Sequence, residues 1–455
     1  MADTIGAVVD DLLGGRHRAA DLVDRSLARI ADPLGQGKTT MLGVYEAAAR
    51  AAAEAADQRR AVGVDPGPLG GVPITIKDLF DVAGEATRAG SVVLADAPPA
   101  ARDAEIVARL RGAGAAIIGR TNMVEFAYSG IGWNPHYGTP LNPWDRDTGR
   151  VPGGSSSGAA VSVSDGFGLG AIGTDTGGSV RIPAALCGLV GFKPTARRVP
   201  RDGCLPLSTT LDSIGPIAWT VDCCARLDAV LAGERYYYPE SIPTQGLRLV
   251  LPRTLVLEDL DADVAKAFEA ALWRLSSHGV KVVEANVPLL GDLMAVNAKG
   301  GFAAAEAWHW HRPLMSYMPE KYDPRVRTRI ERGATMTAAD YLDAISLRTL
   351  VTERLWQTFG AFDAVVLPTT PIIAPSLASI ATDDAEFLRA NALLLRNTSV
   401  ANLLDGCAIS LPCHQPGAAP VGLSLMAAPM QDRRLLALAA ALEPVIRRDI
   451  PPFAL

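Results

Sequence analysis

The 455-residue sequence carries 43 basic and 49 acidic residues, and its net charge of -6 gives no reason to expect a nucleic acid or an anionic membrane as a partner. Hydrophobic residues make up 49% and charged residues 20%, the proportions of a protein with a large core. The six cysteines show no CxxC spacing, no uncharged apolar run reaches the roughly 18 residues of a membrane span, and the N-terminus lacks the pattern of a secretory signal. We therefore expect a cytoplasmic protein without a metal.

The first 65 residues are expected to form a helical leader. Apolar residues recur at helical spacing between residues 5 and 30, and the alanine-rich stretch from Tyr45 to Val62 predicts a further helix. The motif GQGKTT at 35–40 lacks the first glycine and the preceding strand of a phosphate-binding loop. We interpret it as a surface turn.

A short β-rich run, Val72 to Phe80, follows a cluster of glycines and prolines and contains Lys77 near its end. Lys77 and the adjacent Asp78 point to opposite faces of a strand and do not form an ion pair with each other. A single lysine is usually a solvated surface group. A lysine in a buried strand is different, because desolvation lowers its pKa and makes it available as a base.

The rest of the chain predicts one α/β domain. A helix near 104–112 leads into an apolar strand at 115–119, the pattern is mostly helical over 261–278 and 303–359, buried strands follow at 365–368 and 408–412, and a final helix covers 433–447. We divide the domain, residues 1–455, into the leader (1–65), a core carrying the motifs below (66–232), a mainly helical elaboration (233–360) and a C-terminal part of the core (361–455).

Two glycine-serine clusters, at 153–158 and 177–179, flank a segment of small and apolar residues. The first satisfies the GxSxG pattern of a nucleophile elbow, but the polar stretch 145–152 before it is unsuited to the strand that an elbow requires. His309 and His311 are two residues apart, and residues at this spacing lie on different sides of a helix. This disfavours a metal site. The scattered histidines leave a Ser-His-Asp triad open without pointing to one.

A buried lysine and two glycine-framed serines make a coherent alternative. A serine hydroxyl becomes a good nucleophile when a base takes its proton, and a neutral lysine amine can do so through a second serine. The backbone N–H groups of Thr176, Gly177, Gly178 and Ser179 are then candidates for an oxyanion hole.

The two clusters, read as GGSSSG at 153–158 and GTDTGGSVRIP at 173–183, resemble the amidase signature family of serine hydrolases. The resemblance extends to GVPITIKD at 71–78, TNM at 121–123, NPW at 142–144, GFKPT at 191–195 and PVGLS at 420–424, in the family's order. It implies the amidase-signature fold, an α/β architecture in which a large twisted mixed β-sheet is covered by helices on both faces.

The resemblance also implies a Ser–cis-Ser–Lys triad. Ser179 would be the nucleophile, Ser155, preceded by a cis peptide bond, would relay the proton, and Lys77 would be the base. Ser155 would also contact the substrate, together with a segment that lines the acyl pocket in relatives, Ala127, Tyr128 and Ser129. Asp175 and Arg181 would support the loop.

The sequence departs from the family pattern at Ser157, where glycine is typical, and at Ala159, where serine is typical. These changes affect the local hydrogen bonding around Ser155. Several aromatic and arginine side chains are open candidates for the substrate pocket and are equally compatible with core or surface positions: Trp308, Trp310, Tyr317, Arg88, Arg150 and Arg201.

The resemblance favours an amidohydrolase that releases ammonia or an amine from a small organic amide without metal or cofactor. The expected substrates are arylacetamide-, malonamide- or biuret/urea-derived amides, or the substrate of a related deaminase. A glutaminase A-type subunit of a tRNA-dependent amidotransferase, which needs a partner protein, is one alternative. A non-catalytic binding protein on the same fold is another, and a homodimer is expected by analogy with the family.

Overall fold

A single mixed sheet of eleven strands organises the computed structural model, which describes residues 4–236, 239 and 242–447. The strands run in the order β1-β3-β2-β4-β6-β5-β10-β11-β9-β7-β8. In chain order, strands β1 to β11 are Met41–Val44, Pro73–Lys77, Ala116–Thr121, Gly170–Asp175, Val190–Lys193, Ser213–Ala218, Arg248–Pro252, Lys281–Ala285, Ala364–Pro368, Cys407–Pro412 and Gly422–Ala427.

Sixteen α-helices are present in the described part of the chain. In chain order, helices α1 to α16 are Ile5–Leu13, Ala19–Ala31, Gly37–Thr40, Glu46–Ala61, Glu105–Gly112, Ser157–Ser164, Arg181–Leu186, Val221–Ala232, Ala262–Ser277, Leu289–Ala295, Gly301–Met315, Pro324–Glu331, Ala338–Phe359, Leu377–Thr382, Asp384–Leu403 and Asp432–Ile446. None of the helices in these residues is long and apolar enough to cross a membrane.

Both faces of the sheet are buried under helices, as predicted. Neighbouring residues of a strand point to opposite faces. On β4, Ile172 belongs to a large core cluster with Ile74 and Ile214, whereas Ala171 belongs to a separate cluster with α6 and α7. The predicted mixed sheet is therefore confirmed.

The strands that position the site are β2, β3, β4 and β6. Strand β2 pairs in parallel with β3 on one side and with β4 on the other, and β4 pairs antiparallel with β6. Every residue of β2 is buried, and so is every residue of β4. Because parallel strands end at the same edge of a sheet, the last residues of β2 and β4, Lys77 and Asp175, lie at one edge.

Two local predictions differ from the structure. Residues 37–40 form helix α3 rather than a surface turn, and Gly37 and Thr40 are buried. A Cβ atom on Gly37 would lie 1.9 Å from the carbonyl oxygen of Ile30, so only glycine permits this close approach. The sequence analysis named no strand between residues 233 and 360, yet β7 and β8 form one end of the sheet there.

Candidate active site

The two glycine-serine clusters lie side by side. The first ends in α6, and the second connects β4 to α7. The peptide bond between Gly154 and Ser155 is cis, as the resemblance implied. The amide of Ser156 donates a hydrogen bond of 3.3 Å to the carbonyl oxygen of Ser179, which joins the clusters.

Lys77 is the last residue of β2, and its side chain is fully buried. Its Nζ lies 2.8 Å from Ser155 Oγ and 2.8 Å from Thr174 Oγ1 on β4. Burial lowers the pKa of Lys77 to about 7, although Cys204, Asp212 and Asp175 each oppose the shift. A lysine in this environment is partly neutral at neutral pH, which is the state that accepts a proton.

Ser179 lines a largely apolar cavity beside the two clusters and is 3% exposed. In the described residues no hydrogen bond joins its hydroxyl to that of Ser155, so the Lys77–Ser155 contact is formed in this structure and the Ser155–Ser179 contact is not. Catalytic hydrogen bonds often tighten only when substrate is bound.

The N–H groups of the loop after β4 are divided between two tasks. The amide of Gly178 donates to Asp175 Oδ1 at 2.8 Å and that of Val180 to Asp175 Oδ2 at 3.2 Å. Gly178 is therefore not a free donor. The N–H groups of Thr176, Gly177 and Ser179 have no acceptor within the described residues and remain candidates for an oxyanion hole.

Asp175 and Arg181 form a fully buried, bidentate ion pair behind this loop, with both nitrogen–oxygen distances at 3.0 Å. Asn402 of α15 donates to Asp175 Oδ1 and accepts from Arg181. Burial alone would raise the pKa of Asp175, but the Arg181 charge and hydrogen bonds outweigh it and lower the pKa to about 2. The carboxylate thus stays ionised and holds the loop by its backbone.

A second carboxylate anchors the same loop from the other side. Asp212 lies just before β6, and Thr176 Oγ1 donates to it at 2.5 Å. The amides of Leu207 and Ser208 also donate to Asp212, at 3.0 Å each. Burial raises the pKa of Asp212 to about 6. The sequence analysis did not single out Asp212, because its contact with Thr176 joins residues 36 positions apart.

The predicted pocket segment reaches the same cavity, which measures about 530 Å³. Ala127, Tyr128 and Ser129 line it together with Thr176, Gly177 and Ser179. Ser129 Oγ donates to Asn391 Oδ1 at 2.9 Å, which ties the segment to α15. The cavity thus brings the segment and the candidate nucleophile together, while Ser155 and Lys77 are fully buried and do not line it.

None of the aromatic and arginine residues left open by the sequence lines this cavity. Tyr317 is exposed, Trp310 packs near Phe126 with ring centroids 6.1 Å apart, Arg150 binds Asp145, and Arg201 donates to backbone carbonyls of the 209–212 loop. His311 is buried and accepts from or donates to Tyr322 at 3.0 Å. Among the described residues, no group of His, Cys, Asp and Glu is arranged to hold a metal ion.

The charged residues that do line the cavity were missed by sequence reasoning. They are Arg329 on α12, Arg332 just after it, and Arg396 on α15. Their spacing along the chain carries no motif. Only the packing of α12 and α15 around the cavity brings them together.

Comparison with known proteins gives a consistent result. The family model described as Amidase matches residues 21–436. The chain is 38% identical to a 2-amino-5-chloromuconic acid deaminase of Comamonas testosteroni, over 94% of this chain and 95% of that protein. It is 34% identical to a glutamyl-tRNA(Gln) amidotransferase subunit of Chloroflexus aggregans, over 97% and 96%. A crystal structure of an amidase superposes with a TM-score of 0.88 at 34% identity, covering 98% of this chain and 100% of that one.

Proposed function

The chain belongs to the amidase family and is an enzyme that hydrolyses C–N bonds, and we propose that it cleaves a small organic amide through an acyl-enzyme on Ser179. The observation that carries this proposal is the 2.8 Å contact between Lys77 Nζ and Ser155 Oγ in a fully buried setting, next to a serine that faces a cavity. This is a base, a relay and a nucleophile in the order that amide hydrolysis requires.

In the proposed mechanism, neutral Lys77 accepts the proton of Ser155 while Ser155 accepts that of Ser179. The Ser179 oxygen attacks the amide carbon, and the negative charge on the carbonyl oxygen is stabilised by the N–H groups of Thr176, Gly177 and Ser179. When the C–N bond breaks, the relay delivers the proton to the leaving nitrogen. Water then attacks the ester and releases a carboxylic acid, so no metal or cofactor takes part.

Ala127, Tyr128 and Ser129 form the proposed acyl pocket, and Ser155 is proposed to contact the substrate at the reacting group. Asp175 and Arg181 hold the loop that carries the oxyanion donors. A second candidate reaction is hydrolysis of the C–N bond of an amino-substituted unsaturated acid. The name of the deaminase relative supports this candidate, and so do Arg329 and Arg332 in the cavity.

The amidotransferase alternative has weaker support, since the relatives with that name are less similar in sequence than the deaminase. That role requires a partner protein. Hydrolysis of amides by the isolated chain would therefore argue against it. A non-catalytic binding protein is disfavoured because Lys77, Ser155 and Ser179 are all present.

We further propose a cytoplasmic homodimer without nucleic-acid or membrane partners. The six cysteines are free thiols, five of them buried, which suits a reducing compartment. A twofold dimer is the commonest assembly of soluble oligomers.

The test is ammonia release from a panel of amides by the wild-type protein and by Ser179→Ala. The panel contains an arylacetamide, malonamate, biuret, glutamine and an amino-substituted unsaturated acid. Turnover of one class that disappears in Ser179→Ala supports the proposal. Turnover that survives the substitution contradicts it.

A further inference from the structure

The cavity above Ser179 is strongly asymmetric in charge. Its ionisable lining residues are Arg329, Arg332 and Arg396, apart from the phenol of Tyr128, and among the described residues no aspartate, glutamate, lysine or histidine lines it. The remaining lining is largely apolar, with leucines, a methionine and alanines. Guanidinium groups in a mostly apolar cavity are costly unless an anion accompanies them.

Arg396 is already compensated by the protein. It lies 3.8 Å from the carboxylate of Asp259 and donates to the side chain of Asn397 at 3.2 Å and to the carbonyl oxygen of Glu258. The Arg396 guanidinium therefore holds α15 against the 258–259 loop, and Asp259 balances its charge.

Arg329 has no such partner. Its guanidinium donates to the carbonyl oxygen of Tyr128 and lies 5.6 Å from the centre of the Tyr128 ring. No carboxylate of a described residue forms an ion pair with it. Burial lowers its pKa and the neighbouring Arg332 charge adds to the shift, while Tyr128 and the more distant Asp323 carboxylate oppose it. Because the Tyr128 carbonyl occupies only part of the guanidinium, most of the five N–H donors of Arg329 are left for another acceptor.

Arg332 lies three residues further on, at the exposed end of the same cavity wall. Within the described residues, its side chain makes no ion pair and no hydrogen bond. Two neighbouring arginines that repel each other, with no ion-pair partner among the described residues, form a site that favours the binding of an anion.

The size and lining of the cavity decide which anion fits. A carboxylate matches the planar fork of a guanidinium, and a short hydrocarbon chain matches the leucine and methionine side chains that line the same cavity as the arginines and Ser179. An ammonium group, by contrast, finds no carboxylate among the described lining residues and would face two arginines.

Building on the proposed function, we propose that the substrate is an amide whose acyl part carries a carboxylate, bound by Arg329 and Arg332, and that the cavity rejects amides that also carry an ammonium group. The favoured class is the monoamide of a short dicarboxylic acid. Amino-acid amides, including glutamine and asparagine, are poor substrates.

The experiment compares matched substrates with the full-length chain. Malonamate, succinamate and glutaramate are each paired with an analogue that has a methyl ketone in place of the carboxylate, and succinamate and glutaramate are also paired with asparagine and glutamine. We expect kcat/KM for the best carboxylate to exceed that of its ketone and amino counterparts by about tenfold or more, the range of a charge-assisted contact.

The variants separate recognition from folding. Arg332→Gln removes an exposed guanidinium, so the fold is expected to remain intact. We expect this variant to have a higher KM for the carboxylate substrate, and its kcat/KM preference for the carboxylate over the ketone to be lower by about tenfold. Arg329→Lys keeps the charge but loses the fork and reduces the same preference. The matched control is Arg327→Gln, which removes the same charge from α12 at a residue that does not line the cavity.

Each outcome decides one of the two proposals. Equal turnover of carboxylates and ketones overturns the substrate class and leaves amide hydrolysis standing. If no amide is turned over, the proposed function fails, and calorimetric binding of malonate, succinate and glutarate decides the substrate class. Binding that is weakened about tenfold in Arg332→Gln but not in Arg327→Gln supports it, and absence of binding to the wild-type chain overturns it.

Discussion

The environment of a single lysine explains how two ordinary serines can serve in catalysis. Lys77 is fully buried, and within the described residues its amine forms hydrogen bonds only with the hydroxyls of Ser155 and Thr174. A neutral amine that donates one N–H to Thr174 Oγ1 still has a lone pair with which to accept the proton of Ser155. Burial thus lowers the pKa of the proposed base, and the pairing of β2 with β4 brings it beside Thr174.

The first prediction concerns the pH dependence of kcat/KM. Below its pKa, Lys77 is protonated and cannot accept the proton of Ser155, so activity falls about tenfold per pH unit on the acid side. We expect an inflection near pH 7, the pKa to which burial lowers Lys77. The measurement is a pH–rate profile between about pH 5 and 9 with a substrate that does not titrate in this range.

The control for this profile is Lys77→Ala, which we expect to lose activity by about a thousandfold or more, since it removes the general base. A wild-type profile that is flat across the neutral range would mean that another group acts as the base.

Single residues also show the limit of sequence reasoning. Lys77, Ser155 and Ser179 belong to sequence motifs that resemble those of the family, so the sequence could single them out. The structure places all three at one edge of the sheet or in the adjoining loops. Arg329 and Arg332 stand in no motif, and Asp212 reaches Thr176 only because β4 and β6 are neighbours. Their contacts arise from tertiary packing, which a local pattern does not encode.

At the scale of elements, the loop between β4 and α7 depends on a buried ion pair. Asp175 accepts two loop amides and pairs with Arg181. We predict that Asp175→Asn lowers the free energy of unfolding by about 3–5 kcal/mol, because Arg181 is left buried without its counter-charge. Denaturant unfolding measures the loss.

The pH dependence of this effect follows from the pKa of Asp175, which is about 2. A depressed carboxyl pKa contributes stability that is present above the unfolded pKa and is lost as the pH falls toward the folded pKa. The part of the stability difference between wild type and Asp175→Asn that comes from the carboxylate itself is therefore expected to shrink only in acid, below the pKa of an unfolded aspartate. A difference that does not decrease between about pH 4 and 2 would contradict this assignment.

Two adjacent glycines of the same loop give a matched pair of variants. Gly178 has a φ of +133°, and a Cβ atom there would lie 2.1 Å from Thr398 Oγ1. A Cβ atom on Gly177 would meet its nearest neighbour, Leu395, at 3.3 Å, and its φ lies outside the left-handed region. We predict that Gly178→Ala disrupts the loop and that Gly177→Ala is much better tolerated.

Calorimetric melting temperatures and kcat of both variants test this prediction. Gly178→Ala is expected to cost about 1–3 kcal/mol from backbone strain alone, with further loss from the clash, and to abolish most of the activity. Equal behaviour of the two variants would show that the loop can relax and that its conformation does not position the donors.

At the scale of the whole molecule, the mixed sheet explains where the site lies. Strands β2 and β4 are parallel neighbours, so Lys77 and Asp175 meet at their carboxyl ends, and β6 returns antiparallel with Asp212 just before its start. Helices α12 and α15 then close the cavity above this edge. In the proposed mechanism, the reacting groups lie at one sheet edge, and helices distant in sequence line the pocket.

This division also explains how much of the fold the sequence could predict. The core strands near residues 73, 116, 365 and 408 and the helices at 46–61 and 432–446 were indicated by periodicity, and the mixed sheet by the family resemblance. Strands β7 and β8 were missed because helical segments dominate the surrounding sequence, and β8 is only partly buried. The boundaries of the four parts of the chain stay a prediction.

The whole-molecule prediction is that one kind of chain suffices for activity. Purified protein, free of any other polypeptide, is expected to hydrolyse its amide, and sedimentation is expected to give the mass of two chains. Activity that appears only when a partner protein is added would favour the amidotransferase alternative.

The measurement that tests the central claim most directly is intact-mass spectrometry of enzyme quenched during turnover, followed by peptide mapping. We predict a single adduct with the mass of the acyl group, located on Ser179 and absent from Ser179→Ala. An adduct on a different residue, or a Ser179→Ala enzyme that still turns over the amide and acquires the adduct, would contradict the proposed mechanism.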